Sequence, residues 1–122
     1  MLIKKCLKCG ATVEVYNDCN CEDCGMVCCG EKMTALVPNL SDGAVEKHLP
    51  LVEKDGEIVK VTVAHPMDEK HYIEAIILDA GVHQIKRALK PGDEPKATFP
   101  YVKGSTIYSL CNKHGLWSID VL

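Results

Sequence analysis

Near the end of the chain, Cys111-Asn112-Lys113-His114-Gly115-Leu116-Trp117 sets a thiolate donor three residues from an imidazole donor. Behind them stands a glycine, which allows a sharp turn. Cysteine sulfur is soft and polarisable, whereas imidazole suits iron, copper, nickel or zinc, so the mixed pair points to a transition metal. Two donors do not complete a site. His48, His65 and His71 lie upstream, each where a strand begins or ends. The C-terminal two-thirds therefore reads as a scaffold bringing four histidines and one cysteine to a single metal. His65 precedes Pro66, which favours an extended backbone and argues against a helical pair of histidines. Met67-Asp68-Glu69-Lys70 then forms a loop that returns at His71. Taken singly, each histidine is most simply an ordinary partly buried residue; their shared placement at strand ends is what makes a site. His83 fits no such pattern and reads as structural or exposed. Glu46 and Lys47 immediately precede His48. Charges in a loop are usually just solvated, but beside a ligand both side chains come within reach of the metal. Trp117 and Tyr72 read first as core.

A second cluster of donors crowds the start. Seven of the eight cysteines lie within the first 29 residues, at positions 6, 9, 19, 21, 24, 28 and 29. A secreted disulfide scaffold is the plain alternative. The N-terminus has no apolar run of about 7–15 residues that would mark a signal peptide, and the cluster holds an odd number of cysteines. Thiolates bound to metal in a reducing compartment are the expectation. Cys6-x-x-Cys9-Gly10 is a metal knuckle whose glycine permits the turn that points both sulfurs at one ion. Two sets could complete it. Cys21 and Cys24 would add a matched knuckle, as in zinc ribbons and rubredoxin-like sites. Cys28 and Cys29 would add two adjacent cysteines, whose side chains point apart on an extended backbone. Spacing by itself slightly favours the first set.

The elements that position these donors follow from the rest of the pattern. Residues 1–36 are too few for a core of their own, and a four-sulfur metal site would supply the missing stability. Residues 37–45 read as a linker, with turns at Pro38-Asn39 and Asp42-Gly43. Short strands follow. The first runs over Leu49–Glu53, up to an Asp55-Gly56 hairpin signal. Val59, Val61 and Val63 then alternate with polar residues. His71–Leu78 is apolar throughout, as a central strand would be, and His83–Leu89 forms a further piece. Ala97, Phe99 and Tyr101 share a face; so do Ile107, Ser109 and Cys111; Leu116–Val121 is the last strand. About seven strands without an amphipathic helix make an antiparallel β-sandwich of immunoglobulin-like kind over residues 37–122. The chain has 122 residues, a formal charge of −3 and 47% apolar residues. It offers no basic field for nucleic acid or acidic membranes, and no window of the roughly 20 apolar residues a spanning helix needs. A cytoplasmic location is expected.

The motifs, taken together, resemble a known family. Glu46-Lys47-His48-x-Pro50, His65-Pro66-Met67-x-Glu69-x-His71-Tyr72-Ile73-Glu74, Leu89-Lys90-Pro91-Gly92-Asp93-x-Pro95-x-Ala97-x-Phe99 and Cys111-Asn112-x-His114-Gly115-x-Trp117 are similar to superoxide reductases. With Cys6-x-x-Cys9 and Val27-Cys28-Cys29-Gly30-Glu31-x-Met33 ahead of them, the whole chain resembles the two-domain, desulfoferrodoxin type. The resemblance implies a desulforedoxin-like domain over residues 1–36, with iron on Cys6, Cys9, Cys28 and Cys29. It implies a second, non-haem iron in the sandwich, on His48, His65, His71 and His114 with Cys111 as axial ligand. Glu46 matches the carboxylate that can take the sixth position, and Lys47 the cation beside it. The implied activity is one-electron reduction of superoxide to hydrogen peroxide, with electrons from a rubredoxin-like donor, in a homodimer. Cys19, Cys21 and Cys24 lie outside the family pattern, and Ala75 stands where the family often has tryptophan. The contrasting class is a metal protein that carries electrons or stabilises a fold without turnover; a dioxygen- or peroxide-handling enzyme is a nearer alternative. Five donors and a lysine favour chemistry, because a closed structural zinc site needs only four ligands.

Overall fold

A computed structural model describes residues 1–22, 24–40 and 43–122. The chain divides into two compact units, Met1–Leu36 and Val37–Leu122. In the first unit, β1 (Leu2–Lys5) lies between β2 (Thr12–Val15) and β5 (Thr34–Ala35), while β3 (Val27–Cys28) and β4 (Glu31–Lys32) form a separate hairpin. Among the described residues, only Ile3 and Cys6 are buried hydrophobic residues there. Apolar burial on that scale cannot offset the chain entropy of 36 residues.

The second unit holds the core. A three-stranded sheet, in the order β10 (Lys96–Pro100), β7 (Ile58–Thr62), β6 (Leu51–Asp55), faces a four-stranded sheet. The order there is β12 (Gly115–Asp120), β11 (Thr106–Cys111), β8 (Ile73–Asp79), β9 (Gln84–Ala88). All pairings are antiparallel. This is the immunoglobulin-like sandwich expected from the strand pattern. Val59 and Val61 from β7, Ala97 and Phe99 from β10, Ile76 and Leu78 from β8, and Ile107 and Cys111 from β11 share one buried cluster. The period of two along each strand puts these residues on the inner faces. Strand β8 is buried on both faces from Ala75 to Leu78, which explains its unbroken apolar run.

Two local features bear on the donors. Pairing of β11 with β8 slips at its end: Leu110 faces Ala75, but Cys111 faces Ile73. The extra residue, Glu74, forms a bulge of the kind that re-aims side chains next to functional sites. The segment read as a linker runs into one helical turn, α1 (Val45–His48), which it overlaps at Val45. Four residues are too short to leave a helical period in the sequence, and Ala44 at its start makes no side-chain cap. The Pro38-Asn39 turn forms with Asn39 at φ 66°, and the Asn39 side chain bonds both the N–H and the carbonyl of Ser118 on β12. Asp42 of the other expected turn lies outside the described residues. His83 is exposed, as anticipated. Among the described residues no helix is long and apolar enough to cross a membrane.

Candidate metal centres

The sandwich brings together His48, His65, His71, His114 and Cys111, with one donor atom of each within 4.8 Å of every other. Each comes from a different local device. His48 closes the turn α1. His65 follows β7 at the extended residue before Pro66. His71 ends a tight loop in which Asp68 and His71 exchange backbone bonds of 2.9 and 3.2 Å. Cys111 ends β11, and His114 lies in the turn to β12, where Gly115 takes φ 75°.

The rings form a cycle. His48–His65, His65–His71, His71–His114 and His114–His48 have centroids 4.7, 4.5, 4.9 and 4.8 Å apart and are mutually edge-on, while His48 and His71 are 6.3 Å apart. Four near-equal sides with a longer diagonal describe a square. Across its edges, His114 Nδ1 lies 3.1 Å from His48 Nε2 and 3.2 Å from His71 Nε2. Ligands bonded at about 2.1 Å sit about 3.0 Å apart at right angles and about 3.4 Å apart in a tetrahedron, so these distances suit a square base. Cys111 Sγ, 3.3 Å from His65 Nε2 and 3.8 Å from His114 Nδ1, supplies an apex. Its side chain is 1% exposed. An octahedral ion held by these five donors would keep one position free.

Surrounding bonds choose the ring nitrogen that faces the centre. His48 Nδ1–H donates to the Ala44 carbonyl at 2.7 Å, and His65 Nδ1–H donates to the Pro66 carbonyl at 2.6 Å. Each bond keeps the proton on Nδ1 and turns Nε2 inward. Burial pushes the pKa of His65 from 6.5 down to about 4, against the opposing pull of the Pro66 carbonyl. Burial, then the positive potential of neighbouring rings, lowers that of His71. Both rings therefore stay neutral and able to ligate near pH 7.

Several supporting residues were not assigned to the site from sequence. Trp117, read as core, is buried, stacks on the His48 ring at 4.9 Å and 22°, and donates from Nε1 to the His114 carbonyl at 3.0 Å. Ser109 is fully buried and its hydroxyl donates to the His48 carbonyl at 2.6 Å. Asn112 accepts from the Tyr72 N–H and donates to the Lys70 carbonyl, both at 3.0 Å, bracketing His71. A hydroxyl at a core-phase position of β11 was the one signal available for Ser109. Gly43 gave none: a Cβ there would stand 3.1 Å from His48 Cε1 and 3.2 Å from His114 Cγ. Glu46 and Lys47 are exposed on the turn that ends at buried His48.

In the first unit the second candidate cysteine set is the one assembled: Cys6, Cys9, Cys28 and Cys29 lie within 4.8 Å of one another. Cys9 and Cys28 sulfurs are 3.6 Å apart and those of Cys28 and Cys29 are 3.9 Å apart. Bonds of about 2.3 Å in a tetrahedron place sulfurs about 3.8 Å apart, so the set fits one ion. The objection to adjacent cysteines assumed an extended backbone. Cys29 instead takes φ 54° and Gly30 φ 78° in the two-residue loop between β3 and β4, a left-handed pair that swings both sulfurs to one side. Such a φ is uncommon for a residue with a Cβ. The Cys9 N–H holds the Cys6 thiol down to about 6, whereas side-chain bonds with Cys9 and Cys6 push Cys28 up to about 12. Four crowded thiols cannot all ionise alone; a bound cation would let them. The expectation of thiolates throughout this cluster fails at one point, because Cys19 and Cys24 form a disulfide. Cys21 is free and exposed.

Comparison with known proteins agrees with this geometry. The family model described as Desulfoferrodoxin matches residues 40–120. The desulfoferrodoxin of Syntrophotalea carbinolica is 48% identical, over 97% of this chain and 94% of that protein. That of Nitratidesulfovibrio vulgaris is 45% identical over the same shares. Among solved structures, the superoxide reductase from Treponema pallidum is similar with a TM-score of 0.66 and 33% identity, covering 80% of this chain and 86% of that one. The chain belongs to the desulfoferrodoxin family. Its two donor clusters match, residue for residue, the iron ligand sets implied by the sequence motifs.

Two outcomes follow from the geometry of the second centre. Gly43→Ala forces a Cβ against two ligand rings at φ 146°, so metal affinity should fall about 10- to 100-fold, as it does when supporting shells are disturbed. Chelator competition followed by optical spectroscopy measures this. The second outcome concerns acid. Above pH 6.5, His65 is neutral in both folded and unfolded chains; below it the unfolded chain takes the proton first, until the folded value near 4 is reached. Stability of the metal-free sandwich should therefore drop progressively from pH 6.5 to about 4, as thermal unfolding across that range would record. Bound metal should shift the loss to lower pH, since ion and proton compete for one nitrogen.

Proposed function

We propose that this protein is a superoxide reductase that holds one iron in each unit and converts superoxide to hydrogen peroxide. One observation carries the reading: a ring of four imidazoles capped by a buried cysteine sulfur, five donors gathered at one point. Iron bound there supplies the electron and an open position for a small anion. The chain supplies the rest. Imidazole ligands add no charge and the Cys111 thiolate cancels one, so a divalent cation held there would keep a net positive charge that attracts an anion despite the chain's net charge of −3. Cys111 would hold the metal through its thiolate, whose sulfur donation would raise electron density there, as thiolate ligands do in haem enzymes. Lys47, exposed on the turn beside His48, draws superoxide in and holds a water that can deliver a proton. Glu46, its neighbour, would offer the metal a carboxylate ligand in the absence of substrate. The balanced half-reaction takes one superoxide, one electron and two protons to one hydrogen peroxide.

The four-sulfur centre of residues 1–36 is a desulforedoxin-like iron site that can relay electrons. The family resemblance adds a rubredoxin-like protein as donor, homodimeric assembly and a cytoplasmic location to the proposal. A merely structural metal site would need no fifth ligand and no vacant position.

The test is superoxide reduction by the iron-loaded chain, scored as one hydrogen peroxide per superoxide consumed. Cys111→Ser should abolish the visible thiolate band of the second centre. Disturbing supporting residues alone costs about 10- to 100-fold, so losing the ligand itself should lower the rate by at least that factor. An active variant with an unchanged spectrum would refute the assignment. Lys47→Ala should keep the spectrum while slowing the reaction with superoxide about 3- to 100-fold, the range spanned by a nearby unit charge between aqueous and protein-like screening. Added salt should slow the parent more than the variant.

A further inference from the structure

Cys19, Cys21 and Cys24 belong to neither metal centre. They occupy the long connection between the two halves of the four-sulfur site, after Cys6 and Cys9 and before Cys28 and Cys29. Both ends of that connection are anchored. At the near end, Lys4 on β1 binds Asp18 Oδ1 at 3.0 Å with a side chain only 12% exposed, and the same oxygen accepts the Cys19 N–H at 2.9 Å. Strand β1 runs directly into Cys6. At the far end, the Met26 carbonyl accepts the Met33 N–H at 2.8 Å, after which Val27 pairs with Lys32 and Cys28 with Glu31. Gly25 packs against the Lys32 side chain, with space for a Cβ only 3.3 Å from Lys32 Cδ. The Cys19–Cys24 disulfide joins these two anchored ends. It closes a covalent ring between the strand that feeds one sulfur pair and the hairpin that carries the other. Cys19 is exposed and Cys24 half-buried. Beside them a cavity of about 380 Å³, bounded by Asp18, Cys19, Cys24 and Met26, gives a small oxidant or a thiol access to the bond.

We propose that Cys19 and Cys24 are a reversible redox clip on the four-sulfur centre, closed by hydrogen peroxide and opened by a dithiol reductant, and that the closed form retains metal longer. The oxidant is the product of the reaction proposed above, and to that extent the inference rests on that reading. The chemistry balances in two steps. One thiol attacks the peroxide O–O bond, giving a sulfenic acid and one water. The second thiol displaces hydroxide from that sulfur, forming the S–S bond and a second water. Two thiols and one peroxide thus yield one disulfide and two waters. A dithiol reverses this by exchange, becoming a disulfide itself. Closing the ring removes conformations in which the hairpin swings away from β1, and those are the conformations through which the ion escapes. Chain-entropy arguments for so short a ring set a ceiling of about 40-fold on the effect. Because the Lys4–Asp18 pair and the hairpin already restrain both ends, metal release should slow by about 3- to 10-fold.

The experiment uses the full-length iron-loaded chain, reduced with a small dithiol, freed of it, and then given one equivalent of hydrogen peroxide as reagent. Alkylation and peptide mapping should find Cys19 linked to Cys24 and Cys21 labelled. Transfer of iron to a chelator, followed in the four-sulfur absorption band, should be about 3- to 10-fold slower after peroxide than before. Cys19→Ser should release iron at the faster rate in both states, and Cys21→Ser should behave like the parent. Labelled Cys19 and Cys24 after peroxide, a link through Cys21, or equal release rates for linked and reduced protein would each overturn the proposal. Because peroxide is added directly, a chain inert towards superoxide would still report on the clip, and failure of either reading is seen separately.

Discussion

Five lone pairs aimed at one point repel each other and forgo the water they would otherwise bind, so they converge only where a stiff frame holds them. The second unit is built around that demand. Cys111 enters on a strand buried in the sheet, and the bulge at Glu74 sets Cys111 opposite Ile73. The imidazoles enter from three connections and one turn. Three of these segments are tied to the frame by side-chain bonds: Ser109 to the His48 carbonyl, Asn112 across Lys70 and Tyr72, Trp117 to the His114 carbonyl. Buried polar groups of this kind hold position strongly because losing a partner exposes the full desolvation penalty.

The first unit meets a similar demand by other means. It has almost no core, so its strands cannot impose the site as a sandwich can. Tight backbone geometry does the work: a knuckle closed by Gly10 at φ 81° and a hairpin loop with Cys29 and Gly30 both left-handed. The opposed thiols of Cys6 and Cys28, one pulled down and the other pushed up, express the same crowding in protonation. Cation binding would here add to folding stability directly, whereas the sandwich has an apolar core of its own.

Much of this was legible in the residues. Alternation in Val59, Val61, Ala97 and Phe99 announces inner faces, because a pleated strand has a period of two whatever its partners. The unbroken run of β8 announces burial on both sides. Donor types and their placement at strand ends point to a mixed nitrogen–sulfur centre, since only a few metals accept imidazole and thiolate together. The turn α1 was not legible, being too short for a period. Neither were the roles of Trp117 and Gly43, because stacking on a ligand and leaving room for two rings are relations between distant segments.

The sequence by itself determined the kinds of donor, the strand pattern and the family, because side-chain chemistry and local periodicity are properties of neighbouring residues. Only the tertiary structure decided which donors meet. Spacing slightly favoured Cys21 and Cys24 and the family resemblance implied Cys28 and Cys29; the left-handed backbone at Cys29 goes with the second set, and two of the three remaining cysteines, Cys19 and Cys24, close on each other. It alone decided which nitrogen of His48 and His65 faces inward, because the carbonyls of Ala44 and Pro66 take the other. And it alone set the square of imidazoles under a buried sulfur, since the angle between ligands depends on how strands from two sheets pack, which no local stretch of residues records.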